Sequence, residues 1–423
     1  MTALAVIAPL LQAQRPGAPV PVTRAEAIAA ALEHGPRFGL ARADTAVAAA
    51  ALLAARVWPD PTLSAGYSKS APQFHTSLDI PLELPSLRRT RVSAATLGRT
   101  AAQYRFSFER AAASLDADTT YTRVLANLSR ARLSRRNAQE SDSLLRMVAA
   151  RRDAGDASDL DVALATIAAG QQANVAAADS LTYLSSVLDL QVVMGLSAAT
   201  VAVVPIDSLS APPADAVPAT TEGALPAIVG ITSDDARDSV AAARVPLTVA
   251  AAQAALQSAT LSARLQRRSV WQVPTVSVGA EWHDPSGAEA GVLPTVGLSL
   301  PLPILSRNRG AIAQAEAERI RAEAELGFAT VTSRADIART QRELAIATSR
   351  LARDRALVTA AERVAAMSLT AYREGASALP NVLEAQRNAR DVLVQYVDDL
   401  ASAWIFAAEL RVLTLTPFTP PVR

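Results

Sequence analysis

The hexapeptide Pro81-Leu-Glu-Leu-Pro-Ser86 returns 220 residues later as Pro301-Leu-Pro-Ile-Leu-Ser306. The same offset, kept without a gap, aligns Gly155 with Gly375 and continues to Val412. Equal spacing over more than a hundred residues rarely arises by chance, and a fixed internal period is the mark of a duplicated structural plan. The sequence therefore predicts an internal two-fold repeat.

Two strand-like segments precede the hexapeptide in each copy. Apolar residues alternate with small or polar ones, most clearly at Val276, Val278 and Ala280, and a loop containing proline or glycine separates the two segments. This pattern is typical of a β-hairpin. The predicted hairpins cover residues 61–84 and 273–304.

A long stretch free of proline follows each predicted hairpin, and it favours a continuous helix over residues 86–153 and 306–374. At a rise of 1.5 Å per residue, each helix would span roughly 100 Å. A glycine then reverses the chain into a return helix. The predicted return helices cover residues 158–194 and 377–413.

The first return helix carries an apolar ladder at heptad spacing, which includes Leu160, Leu164, Ile167, Leu181 and Val192. Alternating steps of four and three residues indicate a coiled-coil seam. An ordinary antiparallel helical bundle would show the same ladder, so the heptads alone leave both architectures open.

The matched hairpins favour a membrane protein over a soluble bundle. Strands of about 9 to 11 residues can cross a membrane when they close into a barrel, which leaves no backbone group unpaired in lipid. Four strands from one chain cannot close around a usable lumen, so closure needs partner chains. The predicted fold is mainly α with membrane β: long helical hairpins form staves of an α-barrel, and two β-hairpins contribute to a shared β-barrel.

The remaining boundaries follow from composition. Residues 1–22 contain a short apolar stretch without a basic n-region, which we interpret as a signal remnant or a disordered N-terminus. Residues 197–235 contain five prolines and are predicted to form an irregular connector. The two repeats then occupy residues 23–196 and 236–416, and residues 417–423 form a C-terminal tail.

Composition excludes several classes of function. The 41 basic and 40 acidic residues nearly cancel, so the chain lacks the basic field that nucleic-acid binding requires. It has no cysteine, and its three histidines and four methionines are scattered, so no metal site is predicted. Nucleophile motifs and glycine-rich phosphate loops are missing, which predicts a protein that is not an enzyme and needs no cofactor. The chain contains no run of eighteen uncharged apolar residues, so no membrane helix is predicted.

Trp58 and Trp271 occupy equivalent positions directly before the predicted strands. Amphipathic rings at such positions lie at the headgroup level of a membrane, so both residues are predicted to belong to a membrane-interface belt. A helix-terminal tryptophan that caps a core is the alternative for either residue alone. Further candidates for the belt are Tyr67, Phe74, Trp282 and His283.

With these features in place, the chain resembles the TolC-type outer-membrane factors from about Thr23 to Thr416. The resemblance rests on the duplicated plan, on Tyr372-Arg-Glu-Gly375 followed by Pro380-Asn-Val-Leu-Glu-Ala385, and on Leu300-Pro-Leu-Pro-Ile304. It implies a homotrimer with a twelve-stranded barrel in the bacterial outer membrane and a twelve-helix periplasmic tunnel. It also implies a passive export duct that docks to a periplasmic adaptor (a membrane fusion protein) and an inner-membrane efflux pump.

The resemblance further implies a closed periplasmic tip, where acidic residues after the glycine turns narrow the pore. The matching positions are Asp161 in the first copy and Asn381 and Glu384 in the second, and Tyr372 matches an aromatic residue of the gate. Asn381 departs from the acid that is usual there. The hairpin tips that would dock the adaptor are Gly155 and Gly375. Acids at a helix start are also favoured by the helix dipole alone, which is the structural alternative.

The stretch Ser306-Arg-Asn-Arg-Gly310 is similar to outer-membrane factors of heavy-metal resistance pumps. Metal cations or small toxic compounds are therefore the expected cargo. The competing hypothesis is a soluble periplasmic coiled-coil scaffold or adaptor protein, in which the strand-like segments would be loops.

Overall fold

The computed structural model describes residues 20–70, 72–196, 203–212, 245–270, 273–283, 291–303 and 307–417. Within these residues the chain is mostly helical, with a few short strands. The helices are α1 (Arg24–His34), α2 (Pro36–Arg56), α3 (Pro85–Asp153), α4 (Asp159–Val193), α5 (Leu247–Arg268), α6 (Arg309–Arg373) and α7 (Leu379–Leu413). The strands are β1 (Val20–Val22), β2 (Thr62–Tyr67), β3 (Phe74–Pro81), β4 (Val203–Pro205), β5 (Thr275–Trp282) and β6 (Val292–Ser299).

The long helices begin and end where local signals place them. α3 and α4 start within one residue of their predicted positions, and α6 and α7 start two or three residues later than predicted. Pro85 stands at the first position of α3, where a missing backbone N–H costs nothing, and Pro380 stands in the first turn of α7.

Four strands form one antiparallel sheet in the order β2-β3-β5-β6. The two hairpins are joined edge to edge because β3 pairs with β5 along its whole length, from Phe74 opposite Trp282 to Pro81 opposite Thr275. The strand-like segments are therefore paired strands and not loops, in contrast to the competing hypothesis.

A second, parallel pair of strands differs from the expected boundaries. β1 pairs with β4, with Val20 opposite Val203 and Val22 opposite Pro205. The prediction of a disordered N-terminus is wrong for Val20–Val22, which form a strand, and the connector is not irregular at Val203–Pro205. Residues 1–19, 197–202 and 213–235 lie outside the described residues.

Side-chain contacts hold this parallel pair in place. The hydroxyl of Tyr121 donates to the carbonyl oxygen of Val22 and lies 2.9 Å from Asp207 Oδ2. The guanidinium of Arg24 stacks 4.3 Å from the ring centre of Trp404 and pairs with Asp118. Buried polar groups need such partners, so these contacts order segments that composition alone marks as linkers.

The chain divides into two compact units that do not coincide with the two predicted repeats. Unit 1 comprises residues 1–40, 109–232 and 335–415, and unit 2 comprises residues 41–108, 233–334 and 416–423. Each unit draws on both predicted repeats, so the sequence boundaries at 196 and 236 are not the boundaries of compact folding units. The large side chains that are fully buried, among them Tyr121, Leu125, Leu190 and Leu379, lie in unit 1.

One helix of the described residues is long and apolar enough to span a membrane by length and composition: Phe38–Arg56 within α2. Arg42 and Asp44 interrupt this stretch, so it contains no uncharged apolar run of eighteen residues. Only 22% of it is buried. A single such helix is weak support for a membrane span.

Candidate functional site

Both long helices end in unit 1 at a glycine with left-handed backbone geometry. Gly155 has φ of +85° and Gly375 has φ of +76°. The N–H of Gly155 donates to the carbonyl of Arg152 at 2.9 Å, and the N–H of Asp156 donates to that of Arg151 at 2.8 Å. This pair of bonds is the Schellman motif, which satisfies the last carbonyls of a helix and reverses the chain.

The second turn repeats this bonding. Gly375 donates to the carbonyl of Tyr372 at 3.0 Å, and Ala376 donates to that of Ala371 at 2.8 Å. A β-carbon on Gly155 or Gly375 would meet no atom within 4 Å. Positive φ, and not crowding, is therefore the reason for glycine at both turns.

Asp161 closes a capping box at the start of α4. Its carboxylate accepts hydrogen bonds from the N–H of Ser158 at 3.1 Å and from the Ser158 hydroxyl at 2.8 Å, while the N–H of Asp161 donates back to Ser158 Oγ. Asp161 is half-buried. The capping of helix-terminal N–H groups is therefore enough to explain an aspartate at position 161.

Asn381 and Glu384 lie on the exposed side of α7 near its start. The side-chain amide of Asn381 donates to Ser377 Oγ at 3.3 Å, and Glu384 accepts from Asn388 at 3.4 Å. Both contacts are local to one helix end. The two side chains are therefore available to solvent or to another chain.

Tyr372 is buried, with 5% of its surface exposed, and it packs with residues of both helix hairpins. Burial raises the pKa of the Tyr372 phenol, the charge of Arg151 opposes this rise, and the charge of Asp161 adds to it. Two of the predicted gate residues, Asp161 and Tyr372, thus lie close enough to interact. The phenolic oxygen itself has no hydrogen-bond partner among the described residues.

Arg151 is a central residue of this site that the sequence analysis missed. Its guanidinium lies 4.8 Å from the ring centre of Tyr372 and donates to the Tyr372 carbonyl oxygen. The offset of 220 places Arg151 opposite Ala371, so the repeat contains no second arginine that could have drawn attention to it.

An apolar cluster joins the two helix hairpins near the turns. Its buried members are Leu144, Val148, Ala165, Tyr372, Leu379 and Val382. These residues come from α3, α4, α6 and α7. The Gly155 and Gly375 turns therefore end two hairpins that pack against each other in unit 1.

The sheet in unit 2 has one apolar and one polar face. The cross-strand register places the exposed apolar side chains on a single face, and they include Leu63, Leu78, Val278, Val296 and Leu298. The opposite face carries small and polar residues, among them Ser64, Ser77, Asp79, Ser277 and Glu281. Val296 is 79% exposed, so this apolar face has no cover within the described residues.

An aromatic row crosses the apolar face at one end of the strands. The ring of Phe74 lies 5.4 Å from that of Tyr67 and 5.9 Å from that of Trp282, and His283 adjoins it at 5.7 Å. The structure thus brings together the four further belt candidates. Only the aromatic character of the residues, and not their spacing, suggested this in the sequence.

Trp58 lies at the other end of the strands and is 52% exposed. The guanidinium of Arg88 stacks 4.7 Å from its ring centre. Trp58 does not cap a core, which the alternative interpretation required. Trp271 lies outside the described residues.

Comparison with known proteins gives one family and several similar folds. Residues 237–414 match the family of outer membrane efflux proteins. The comparison with curated proteins found no match by sequence.

Several solved structures share the fold over 92% of this chain. The outer membrane protein VceC from Vibrio cholerae is similar with a TM-score of 0.72 and 16% identity over 96% of its chain. The CmeC outer membrane channel of Campylobacter jejuni has a TM-score of 0.71 and 14% identity over 85% of its chain. A membrane protein from Pseudomonas aeruginosa has a TM-score of 0.69 and 17% identity over 93% of its chain.

Proposed function

We propose that this chain is a TolC-type outer-membrane factor, the export duct of a tripartite efflux system, and that it works as a passive channel built from three identical copies. The chain contributes no chemistry of its own to transport. Its role is to provide a continuous passage from the periplasm across the outer membrane.

The two-faced sheet is the observation that carries this proposal. Its apolar face suits lipid and its polar face suits a water-filled lumen, as in membrane barrels whose strands alternate in this way. The aromatic row and Trp58 flank the apolar face like the two girdles of such a barrel. From Phe74 to Ile80 the strand spans roughly 20 Å, comparable with the apolar band of an outer-membrane barrel of about 25 Å.

Three copies complete what one copy lacks. Four strands from one chain leave both sheet edges unpaired within the described residues, while twelve strands can close. The predicted heptad ladder on α4 supports the same assembly: Leu160, Ile167 and Leu181 are 67%, 58% and 69% exposed. An apolar seam left bare in one chain needs a partner, and a ring of three copies provides one.

The helices would extend the barrel into the periplasm as a twelve-helix tunnel. In the trimer, the three copies of each predicted repeat would together contribute six helical staves. The internal two-fold repeat explains why both β-hairpins are followed by a long helix, a glycine turn and a return helix. A soluble scaffold or adaptor is not favoured because it has no use for a paired sheet with an uncovered apolar face.

The glycine turns would form the periplasmic tip, where Gly155 and Gly375 meet the adaptor and where Asp161, Tyr372, Asn381 and Glu384 narrow the pore. The packing of Tyr372 against Arg151 supports a closed resting state, since it ties one helix hairpin to the other. An inner-membrane pump would supply the cargo, for which metal cations or small toxic compounds are the prediction.

Two measurements on the full chain test the proposal. Cell fractionation should place the protein in the outer membrane, and the mass of the detergent-purified protein should be three times that of one chain. A monodisperse protein that stays monomeric and soluble without detergent would contradict it.

A further inference from the structure

Positive charge is concentrated at one end of the sheet in unit 2. The whole chain has a net charge of only +1. The segments that flank this end (residues 56–60, 82–91, 264–270 and 307–309) contain nine arginines against two acids, Asp60 and Glu83, which leaves seven positive charges. We name these arginines the arginine collar: Arg56, Arg88, Arg89, Arg91, Arg264, Arg267, Arg268, Arg307 and Arg309.

The strand register brings the collar together at this end. β3 ends at Pro81, which pairs with Thr275, the first residue of β5, and Thr275 pairs with Ser299, the last residue of β6. β2 begins there too, because Thr62 pairs with Asp79. The helices that precede or follow these strands in the chain therefore have their ends near this one end of the sheet.

Part of the collar is fixed to the scaffold. Arg88 donates to the carbonyl oxygen of Arg56 at 2.6 Å and stacks on Trp58. Arg91 pairs with Glu83 and donates to the carbonyl oxygens of Ala55 at 3.1 Å and Val57. These contacts hold the end of α2 against the start of α3.

Arg267 pairs with Glu316 at 2.9 Å, whereas five other collar arginines have no counter-charge in the described residues. Arg56, Arg89, Arg264, Arg268 and Arg309 are exposed, and none of them forms an ion pair there. Like charges on neighbouring helix ends repel one another, so an external anion would stabilise this arrangement.

We propose that the arginine collar binds the phosphate groups of anionic phospholipids in the periplasmic leaflet of the outer membrane. This inference rests on the proposed function, because it places the collar at the periplasmic boundary of the lipid. Trp58 marks the same level, and the apolar face of the sheet begins directly beyond it. Guanidinium groups match phosphate oxygens in paired hydrogen bonds, and basic groups near an anionic membrane surface add to its binding.

The other end of the sheet does not share this charge. Its described residues carry Lys69, His75 and Glu281, and His75 Nδ1 lies 3.3 Å from Glu281 Oε1. The charge asymmetry gives the chain a preferred orientation relative to an anionic lipid surface.

The test measures lipid retention by the intact protein. Wild-type protein in mixed detergent micelles with equal amounts of phosphatidylglycerol and phosphatidylethanolamine is analysed by native mass spectrometry. The test variant carries Arg56→Gln, Arg89→Gln, Arg268→Gln and Arg309→Gln. The matched control removes the same charge from exposed sites in unit 1, with Arg342→Gln, Arg355→Gln, Arg363→Gln and Arg387→Gln.

We expect the wild type and the control to retain phosphatidylglycerol in preference to phosphatidylethanolamine. In the test variant, the ratio of the two retained lipids should fall by about tenfold or more. High salt should weaken the wild-type preference, because the interaction is between exposed charges. Inorganic phosphate at equal phosphorus concentration should displace little of the lipid, since it lacks the acyl chains that the apolar face contacts.

Equal retention of the two lipids by the wild type, an equal loss in the control, or full displacement by inorganic phosphate would each overturn the lipid site. These outcomes leave the trimer mass untouched. A failure of the proposed function would appear separately, as a wild-type protein that is neither trimeric nor bound to membranes.

Discussion

The side chain of Arg151 bridges the ends of the two long helices, because its guanidinium stacks 4.8 Å from the ring centre of Tyr372 while donating to the carbonyl oxygen of that same residue. Arg151 belongs to α3 and Tyr372 to α6, so this single side chain joins the last turns of two helices that are 220 residues apart in sequence. It is a polar link between the two helix hairpins near the proposed gate.

Removal of this link should loosen the closed tip. Arg151→Ala deletes the cation–π contact and the hydrogen bond, a loss of about 1–2 kcal/mol in the packing of the two hairpins. We expect a higher open probability in planar-bilayer recordings. Arg146→Ala, which removes an exposed arginine from the same helix, serves as the control. Equal conductance in wild type and Arg151→Ala would separate Arg151 from gating.

Charge at the proposed constriction should set ion selectivity. Three copies would place six carboxylates from Asp161 and Glu384 near one axis. The double change Asp161→Asn with Glu384→Gln is expected to lower the cation preference, read as a shift of the reversal potential in a salt gradient, while the trimer mass stays the same.

Asp161 also caps α4, and a second variant separates the two roles. Ser158→Ala removes the partner hydroxyl of the capping box but keeps the charge of Asp161. It should lower stability by about 1 kcal/mol and leave the reversal potential unchanged. A selectivity shift in Ser158→Ala as large as that of the charge variant would argue that helix geometry, and not charge, controls the ions.

A buried pair of acids should make stability depend on pH. Burial raises the pKa of Asp354 above its ordinary 3.8, and the adjacent carboxyl of Asp399 raises it further, while Arg353 and Arg350 oppose the shift. At pH values between the ordinary pKa and the raised one, the folded protein therefore holds a proton on Asp354 that the unfolded chain has released. The stability from this proton is fully present below the ordinary pKa and is lost as the pH rises through the raised one.

Asp354→Asn should accordingly melt higher than wild type at pH 7 to 8, by about 1–3 °C, and the gap should close as the pH falls toward 4. Thermal unfolding of the detergent-purified protein measures this. Asp189→Asn removes the same charge at an exposed position and should show no such trend. A constant gap at all pH values would mean that the carboxyl pair does not bind the proton.

The two faces of the sheet should respond differently to charge. Val296→Arg puts a cation on the apolar face, where arginine in lipid costs about 2–4 kcal/mol near the bilayer centre, and should reduce the trimer recovered from outer membranes. Thr295→Arg changes the neighbouring residue on the opposite face and should assemble normally with altered conductance. Similar losses for both variants would argue against a lipid-facing side.

The amino-acid sequence by itself determined the helices, because their signals are local. A glycine in left-handed geometry ends α3 and α6, proline stands at the start of α3 and in the first turn of α7, and Ser158 with Asp161 forms a capping box three residues apart. Such signals act within one turn, so they can be read along the chain without knowledge of its neighbours. The alternation along β5 predicted its apolar face for the same reason.

Only the tertiary structure decided which distant segments meet. The pairing of β3 with β5, the parallel contact of Val20–Val22 with Val203–Pro205, and the position of Arg151 on Tyr372 each join residues that are far apart in sequence. These contacts depend on long-range burial and on hydrogen bonds between distant residues, and neither produces a periodic pattern in the sequence. The arginine collar has the same origin, since its members are scattered in sequence and become one surface only when the register of four strands brings the helix ends together.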